Sequence, residues 1–264
     1  MMTLHAGLTA LVFLFGAGQA LAAPSGTALG VDPDAEARGA SETRTLVVGS
    51  DIFIGDRVVT GDKGLVQIKF VDNTRLVVGP RSSLTIEDYL IRNDGSSGQM
   101  AVNALSGTFR FITGNAPKDR YVIRTPTGTI GVRGTALDVW VSEIVSYVLQ
   151  LHGSSYECPD ATPDRCEVLD AVCELAILGD SEVEVIGHTD EISGEDRDRL
   201  KQMFALIDAD LLREFRVARD DRCLNRPAGG GAGGTSLSTP GAENAPPQQT
   251  PTPTPIPTPI YKID

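Results

Sequence analysis

The chain has 264 residues, 41% of them hydrophobic, and a formal net charge of -12. That is enough apolar material for a core, and an acidic balance without clustered Lys and Arg excludes nucleic acid and an anionic membrane surface as partners. Charge of this sign and size keeps a protein soluble and unassociated.

At the N-terminus an apolar run, Leu8 to Phe15, leads into Gly16, Gly18 and the triplet Ala20-Leu21-Ala22. An apolar segment ahead of an A-x-A site is the pattern of a secretory signal, so residues 1–22 are read as a signal peptide cleaved before Ala23. Met1 to Gly7 departs from that pattern in holding no Lys or Arg. The competing reading is an uncleaved anchor, because Leu4 to Ala23 approaches the roughly 20 residues a bilayer requires. Cleavage gives a periplasmic or secreted chain without stable membrane insertion.

Residues 23–44, rich in Ala, Gly, Asp and Ser without periodicity, read as a flexible lead-in. From Thr45 short β-prone runs alternate with turn residues such as Gly55-Asp56, Gly61-Asp62, Asp72-Asn73 and Gly79-Pro80. In LVQIKF, Leu65, Gln67 and Lys69 share one face and Val66, Ile68 and Phe70 the other, the alternation of a half-buried strand. Further β-rich stretches run from Thr129 to Leu151 and from Val168 to Ile186. The expected fold class is all-β over residues 45–190, with strands short enough for a solenoid or a sandwich.

One helix is expected over residues 193–223. Ser193 and Asp196 fit a capping box, and Leu200, Met203, Phe204, Ile207, Leu211 and Phe215 form one apolar stripe. Such a stripe covers a sheet or receives a partner; the covering role is favoured because burial is what stabilises a helix. Residues 227–264 contain GGGAGG and TPTPTPIPT and read as a disordered tail, extended where Pro-rich, acting as a spacer or a docking peptide.

The most distinctive segment is Arg124 to Val141, RTPTGTIGVRGTALDVWV, with Gly128, Gly131 and Gly134 at three-residue steps. Glycine in strands marks bends, bulges or close backbone approach, so a sharply bent pair of strands is expected, with Arg133 emerging between glycines. No G-x-G-x-x-G or G-K-[ST] order is present, which removes a nucleotide loop.

This segment resembles the signature of FecR domains through Thr125, Pro126, Gly128, Thr129, Ile130, Gly131, Val132, Arg133, Gly134 and Thr135. Gly55-Asp56 with Val58, Thr60 and Gly61, the strand Leu65 to Asp72, Pro80 to Leu84, and Leu105-Ser106-Gly107-Thr108-Phe109-Arg110 resemble the family's other elements in order. The resemblance covers roughly Gly49 to Ile186. It implies a periplasmic, solenoid-like or sandwich-like β domain. The best-known relatives relay transporter occupancy to a sigma factor across the inner membrane; lacking their architecture, this sequence is read as a stand-alone envelope module. Thr125, Pro126, Gly128, Gly131, Arg133, Gly134 and Thr135 are then structural or binding positions.

No H-E-x-x-H, G-x-S-x-G or EF-hand pattern occurs, and neither cofactor nor metal is expected. Asp180, Glu182, Glu184, Asp190 and Glu191 near His188 form a weak candidate cation site, more simply read as a solvated face. Trp140 is placed in the core in preference to a binding surface. Cys158, Cys166, Cys173 and Cys223 are even in number and lack zinc-knuckle spacing, so disulfides are favoured over zinc. A hairpin-like loop pairs Cys158 with Cys166, leaving Cys173, on a strand, for Cys223; Cys158–Cys173 is the main rival. The functional expectation is a noncatalytic binding module for an envelope protein or glycan, possessing or lacking a signalling role. The alternative is a hydrolase of envelope polymers using scattered carboxylates, recognisable by a paired acid and base in a cleft.

Overall fold

The computed structural model describes residues 23–91, 97–115, 117, 121–208, 211–212, 215 and 222–225. The expected signal peptide and Pro/Thr tail lie outside the described residues. The strands are β1 (Gly26–Asp32), β2 (Ala35–Arg38), β3 (Thr43–Thr45), β4 (Asp51–Ile52), β5 (Arg57–Thr60), β6 (Leu65–Phe70), β7 (Arg75–Val78), β8 (Ser83–Ile91) and β9 (Ser97–Ile112). They continue as β10 (Tyr121–Thr125), β11 (Gly128–Val141), β12 (Ser146–Pro159), β13 (Glu167–Leu169), β14 (Glu174–Leu178) and β15 (Val183–His188). All belong to one continuous 15-stranded sheet, confirming the all-β class.

The sheet folds back on itself because its three longest strands bend. Each changes direction at a glycine with positive φ: Gly107 in β9, Gly134 in β11 and Gly153 in β12. Each bend also switches which residues face inward. In β11 the core takes Ile130 and Val132 before Gly134, then Leu137, Val139 and Val141 after it. In β9 it takes Met100, Val102 and Ala104 before Gly107, then Phe109 and Phe111. An extra residue reverses the two-residue alternation of a strand, so one strand serves two layers.

The first layer runs β3-β2-β5-β8, the first half of β9, β10, the first half of β11, the second half of β12, and β13. The second runs β4-β1-β6-β7, then the remaining halves of β9, β11 and β12, then β14 and β15. One hydrophobic cluster draws Ala37, Val58, Leu84 and Ile123 from the first layer and Ile52, Ile68, Leu76 and Leu178 from the second. Of the two expected architectures this is the sandwich, with the core between its layers.

Several expectations are corrected. Residues 23–44 are not a loose lead-in: β1 pairs with β6 along its length, β2 pairs with β3 and β5, and Ala28, Ala35 and Ala37 are buried. Alanine and glycine carry too weak a hydrophobic signal to announce strands whose partners supply the pairing. The strand LVQIKF is buried on both faces, Leu65 and Gln67 included. Cys173 lies in a turn just before β14, with φ 69.

The helix is shorter than expected. Helix α1 spans Gly194–Met203, is capped by the Ser193 hydroxyl, and gives way at Phe204 to a 3-10 turn, Ala205–Ile207. Its chain continues across the outer face of the second layer, where Leu206, Leu212 and Phe215 cover Leu65 and Val77. Leu200, Phe204 and Ile207 pack with Leu149, Leu151 and Leu175. Phe204 and Leu206 would stand about 200° apart on a continuous helix. Leaving the helical path lets both reach the sheet, which is the physical reason the stripe does not stay helical. A short helix α2 (Arg222–Asn225) ends the described chain. Among the described residues no helix is long and apolar enough to cross a membrane.

Candidate functional site

The signature residues build the bend. Thr125 and Gly128 close the β10–β11 hairpin around Pro126 and Thr127. The Thr125 hydroxyl accepts from the Gly128 N–H (3.2 Å) and donates to the Gly128 carbonyl (3.0 Å). Thr127 donates to the Leu178 carbonyl at 2.9 Å, tying the turn to β14. Gly128 is dictated by packing, since a Cβ there would lie 2.4 Å from the Cys158 carbonyl oxygen. Gly134 is dictated by conformation, at φ 63. Gly131 answers to neither: a Cβ would meet nothing nearer than 3.9 Å. Arg133 emerges into solvent, its Nη1 3.4 Å from the Tyr156 hydroxyl.

Thr135 begins a buried polar chain at the bend. The Gln150 amide donates to the Thr135 hydroxyl and to the His152 carbonyl, the latter at 2.7 Å. Ser155 Oγ lies 2.9 Å from Gln150 Oε1 and 2.6 Å from Glu157 Oε1. One hydroxyl proton cannot serve two acceptors. A protonated Glu157 resolves this by donating to Ser155, which donates onward to Gln150. Glu157 is 0% exposed, and its Oε2 has no hydrogen-bond partner among the described residues. Burial pushes its carboxyl up to about 8, against the lowering effect of Ser155, with the charge of Glu174 adding to the rise.

A raised carboxyl is what a general acid requires, but this one is sealed from solvent and no substrate oxygen can reach it. The Arg110–Asp138 pair is similarly enclosed: Nε meets Oδ1 at 2.6 Å and Nη2 meets Oδ2 at 2.7 Å. These residues face each other across β9 and β11, joining two motif elements that are far apart in sequence. Asp72, at the β6–β7 turn, accepts from Thr74 and from the Tyr121 hydroxyl at 2.8 Å. Asp56 accepts from the Phe53 N–H and pairs with Arg44 at 2.5 Å. The motif carboxylates thus serve turns and strand pairs.

Sequence reasoning passed over Asp138 and Glu157. Asp138 is a charged residue inside an apolar strand run, which is a signal that marks it, whereas Glu157 lies in the polar stretch Ser154 to Cys158 and carries no such signal. Trp140 is only partly buried, stacking edge-on against Tyr147 on the second layer's outer face. Among the described residues no group of three or more His, Cys, Asp or Glu is placed to hold a metal. The structure joins Cys158 to Cys166 and Cys173 to Cys223, the connectivity favoured from the sequence. The first bridges β12 to the start of β13; the second ties α2 to the turn before β14.

Residues 56–154 match the family model described as FecR protein. The matched stretch contains the β11 signature, the Arg110–Asp138 pair and the three bending glycines. The match is narrower than the resemblance drawn from motifs alone, which extended to Ile186. None of the curated proteins matches the chain. Two crystal structures from Parabacteroides distasonis ATCC 8503, each described as a proposed anti-sigma factor, are similar at 14% and 15% identity, with TM-scores of 0.39 and 0.40. The matches cover 50% of this chain and 59% of the first neighbour, and 56% of this chain and 74% of the second.

Proposed function

We propose that this protein is a noncatalytic interaction module of the bacterial envelope, periplasmic or secreted, whose FecR domain is a rigid scaffold presenting a surface to a partner. The observation that carries this reading is the fate of the motif residues. Thr125, Gly128, Gly134, Arg110 and Asp72 are committed to turns, bends and buried pairs. The two disulfides support an oxidising compartment. The partner is an envelope protein in preference to a glycan, and a signalling role would follow from the identity of that protein.

The test is affinity capture from envelope extracts with the mature chain, with and without the residues after Arg226, combined with cell fractionation. One envelope protein retained in stoichiometric amount, with the chain in the periplasmic or extracellular fraction, is the expected result. Turnover of purified envelope polymers by the protein alone would overturn the noncatalytic reading.

A further inference from the structure

The two outer faces of the sandwich differ. The second layer's outer face is covered by the chain that follows α1. No described residue from outside the sheet joins a hydrophobic cluster on the first layer's outer face. Across it runs a cross-strand row, Val168–Tyr156–Gly131–Val122, in register through β13, β12, β11 and β10. Tyr156, Gly131 and Val122 are half-buried and Val168 is exposed.

Gly131 sits at the centre of this row, and the fold does not require it. Its backbone is not in the left-handed region, and a Cβ would have ordinary room. A glycine inside a strand costs backbone entropy and forfeits side-chain packing. Its effect here is to leave a bare notch of backbone beside the Tyr156 ring, open to approach from outside. Arginines flank the row on both sides. Arg133 lies two residues along β11 from Gly131, and Arg124 two residues along β10 from Val122. Arg38 and Arg57 extend the same face through β2 and β5. Against these four cations stand Glu36, paired with Arg38, Glu87, paired with Arg124, and Asp88, whose position continues the row through Ala101. Arg57 and Arg133 form no ion pair among the described residues, although the whole chain carries a charge of -12.

We propose that the first layer's outer face, centred on Gly131, docks an extended acidic segment of another protein, with an apolar side chain of that segment seated in the Gly131 notch beside Tyr156. This rests on the interaction-module reading and adds the surface and the chemistry of the partner. Carboxylates match the flanking guanidinium groups, and the Val168 and Val122 side chains suit a peptide's apolar residue. An anionic glycan fits less well, because the row offers one aromatic ring, and its one polar side-chain group, the Tyr156 hydroxyl, faces Arg133.

The test uses the full mature chain and three fluorescent probes: a short peptide of Glu and Asp around a central Phe, its Lys and Arg counterpart, and polygalacturonate. Binding is read by anisotropy at low and high ionic strength. The acidic peptide is expected to bind in preference to the other two. Gly131→Leu is expected to keep the wild-type melting temperature and lose binding, and the Arg57→Glu/Arg133→Glu double variant to weaken it by about tenfold or more. Three results would each overturn the proposal: an acidic peptide that wild type and variants treat alike, a preference for polygalacturonate, or a Gly131→Leu variant that fails to fold. In the envelope capture experiment, a partner retained equally by Gly131→Leu removes this face and leaves the module reading intact. No partner for any version removes that reading itself.

Discussion

At Glu157 a single proton links an interior hydrogen-bond chain to stability. The folded carboxyl is held near 8 by burial, against an ordinary value of 4.5. Between those values the unfolded chain ionises while the folded chain stays neutral, so folding binds a proton and stability falls as pH rises. The stabilising contribution is complete below the ordinary value and is lost as pH climbs through 8. Glu157→Gln keeps the neutral amide shape and is expected to flatten this dependence, raising stability near neutral pH by on the order of 3 kcal/mol. Denaturant midpoints across pH 5–9 read it directly; parallel curves for wild type and variant would sink the assignment. Asp138→Ala acts oppositely. It removes the carboxylate bonded to the Arg110 guanidinium, which is buried at 1% exposure, and should cost about 3–5 kcal/mol at neutral pH in urea unfolding.

The elements show how bending and covering divide the work. Gly134 and Gly153 both need positive φ, and a Cβ on Gly153 would also lie 2.3 Å from the Gly134 carbonyl oxygen. Left-handed backbone alone costs an alanine about 1–2 kcal/mol, so Gly153→Ala is expected to lose more than that. A loss no greater than that in thermal melts would contradict the packing account. On the opposite face, Phe204 is buried at 1% against β12 and β14. Phe204→Ala should cost about 3–5 kcal/mol. An unchanged midpoint would show that the segment is not held on the sheet. The apolar stripe was legible as a covering element, but its helical extent was not. Leu206 and Leu212, absent from the helical pattern, are among the most deeply buried residues there.

For the whole molecule, the two disulfides constrain unequal lengths of chain. Cys158–Cys166 spans 8 residues and Cys173–Cys223 spans 50, so the second limits the unfolded ensemble more. Cys173 and Cys223 are buried, whereas Cys158 and Cys166 are half-exposed. Mild reductant with alkylation and peptide mapping is expected to label Cys158 and Cys166 first. Replacing Cys173 and Cys223 by Ser should lower stability by about 2–4 kcal/mol, more than the same change at the other pair. Prior labelling of Cys223 would count against this order.

The sequence by itself determined the all-β class, the FecR motifs, and the placement of Thr125, Gly128 and Gly134 at turns and bends, and it favoured Cys158–Cys166 over the rival Cys158–Cys173, a choice the structure made. These are set locally, by two-residue alternation, by residues that tolerate unusual backbone, and by a short loop that brings two cysteines opposite each other. Only the tertiary structure decided that residues 26–45 form strands, because Ala28, Ala35 and Ala37 acquire their burial from β6 and β5. It alone decided that LVQIKF is covered on both faces, since its outer cover comes from Leu206, Leu212 and Phe215 far along the chain. It also decided which charges are interior. Arg110 meets Asp138, and Glu157 loses its water, through strand pairings and layer closure that no local pattern encodes.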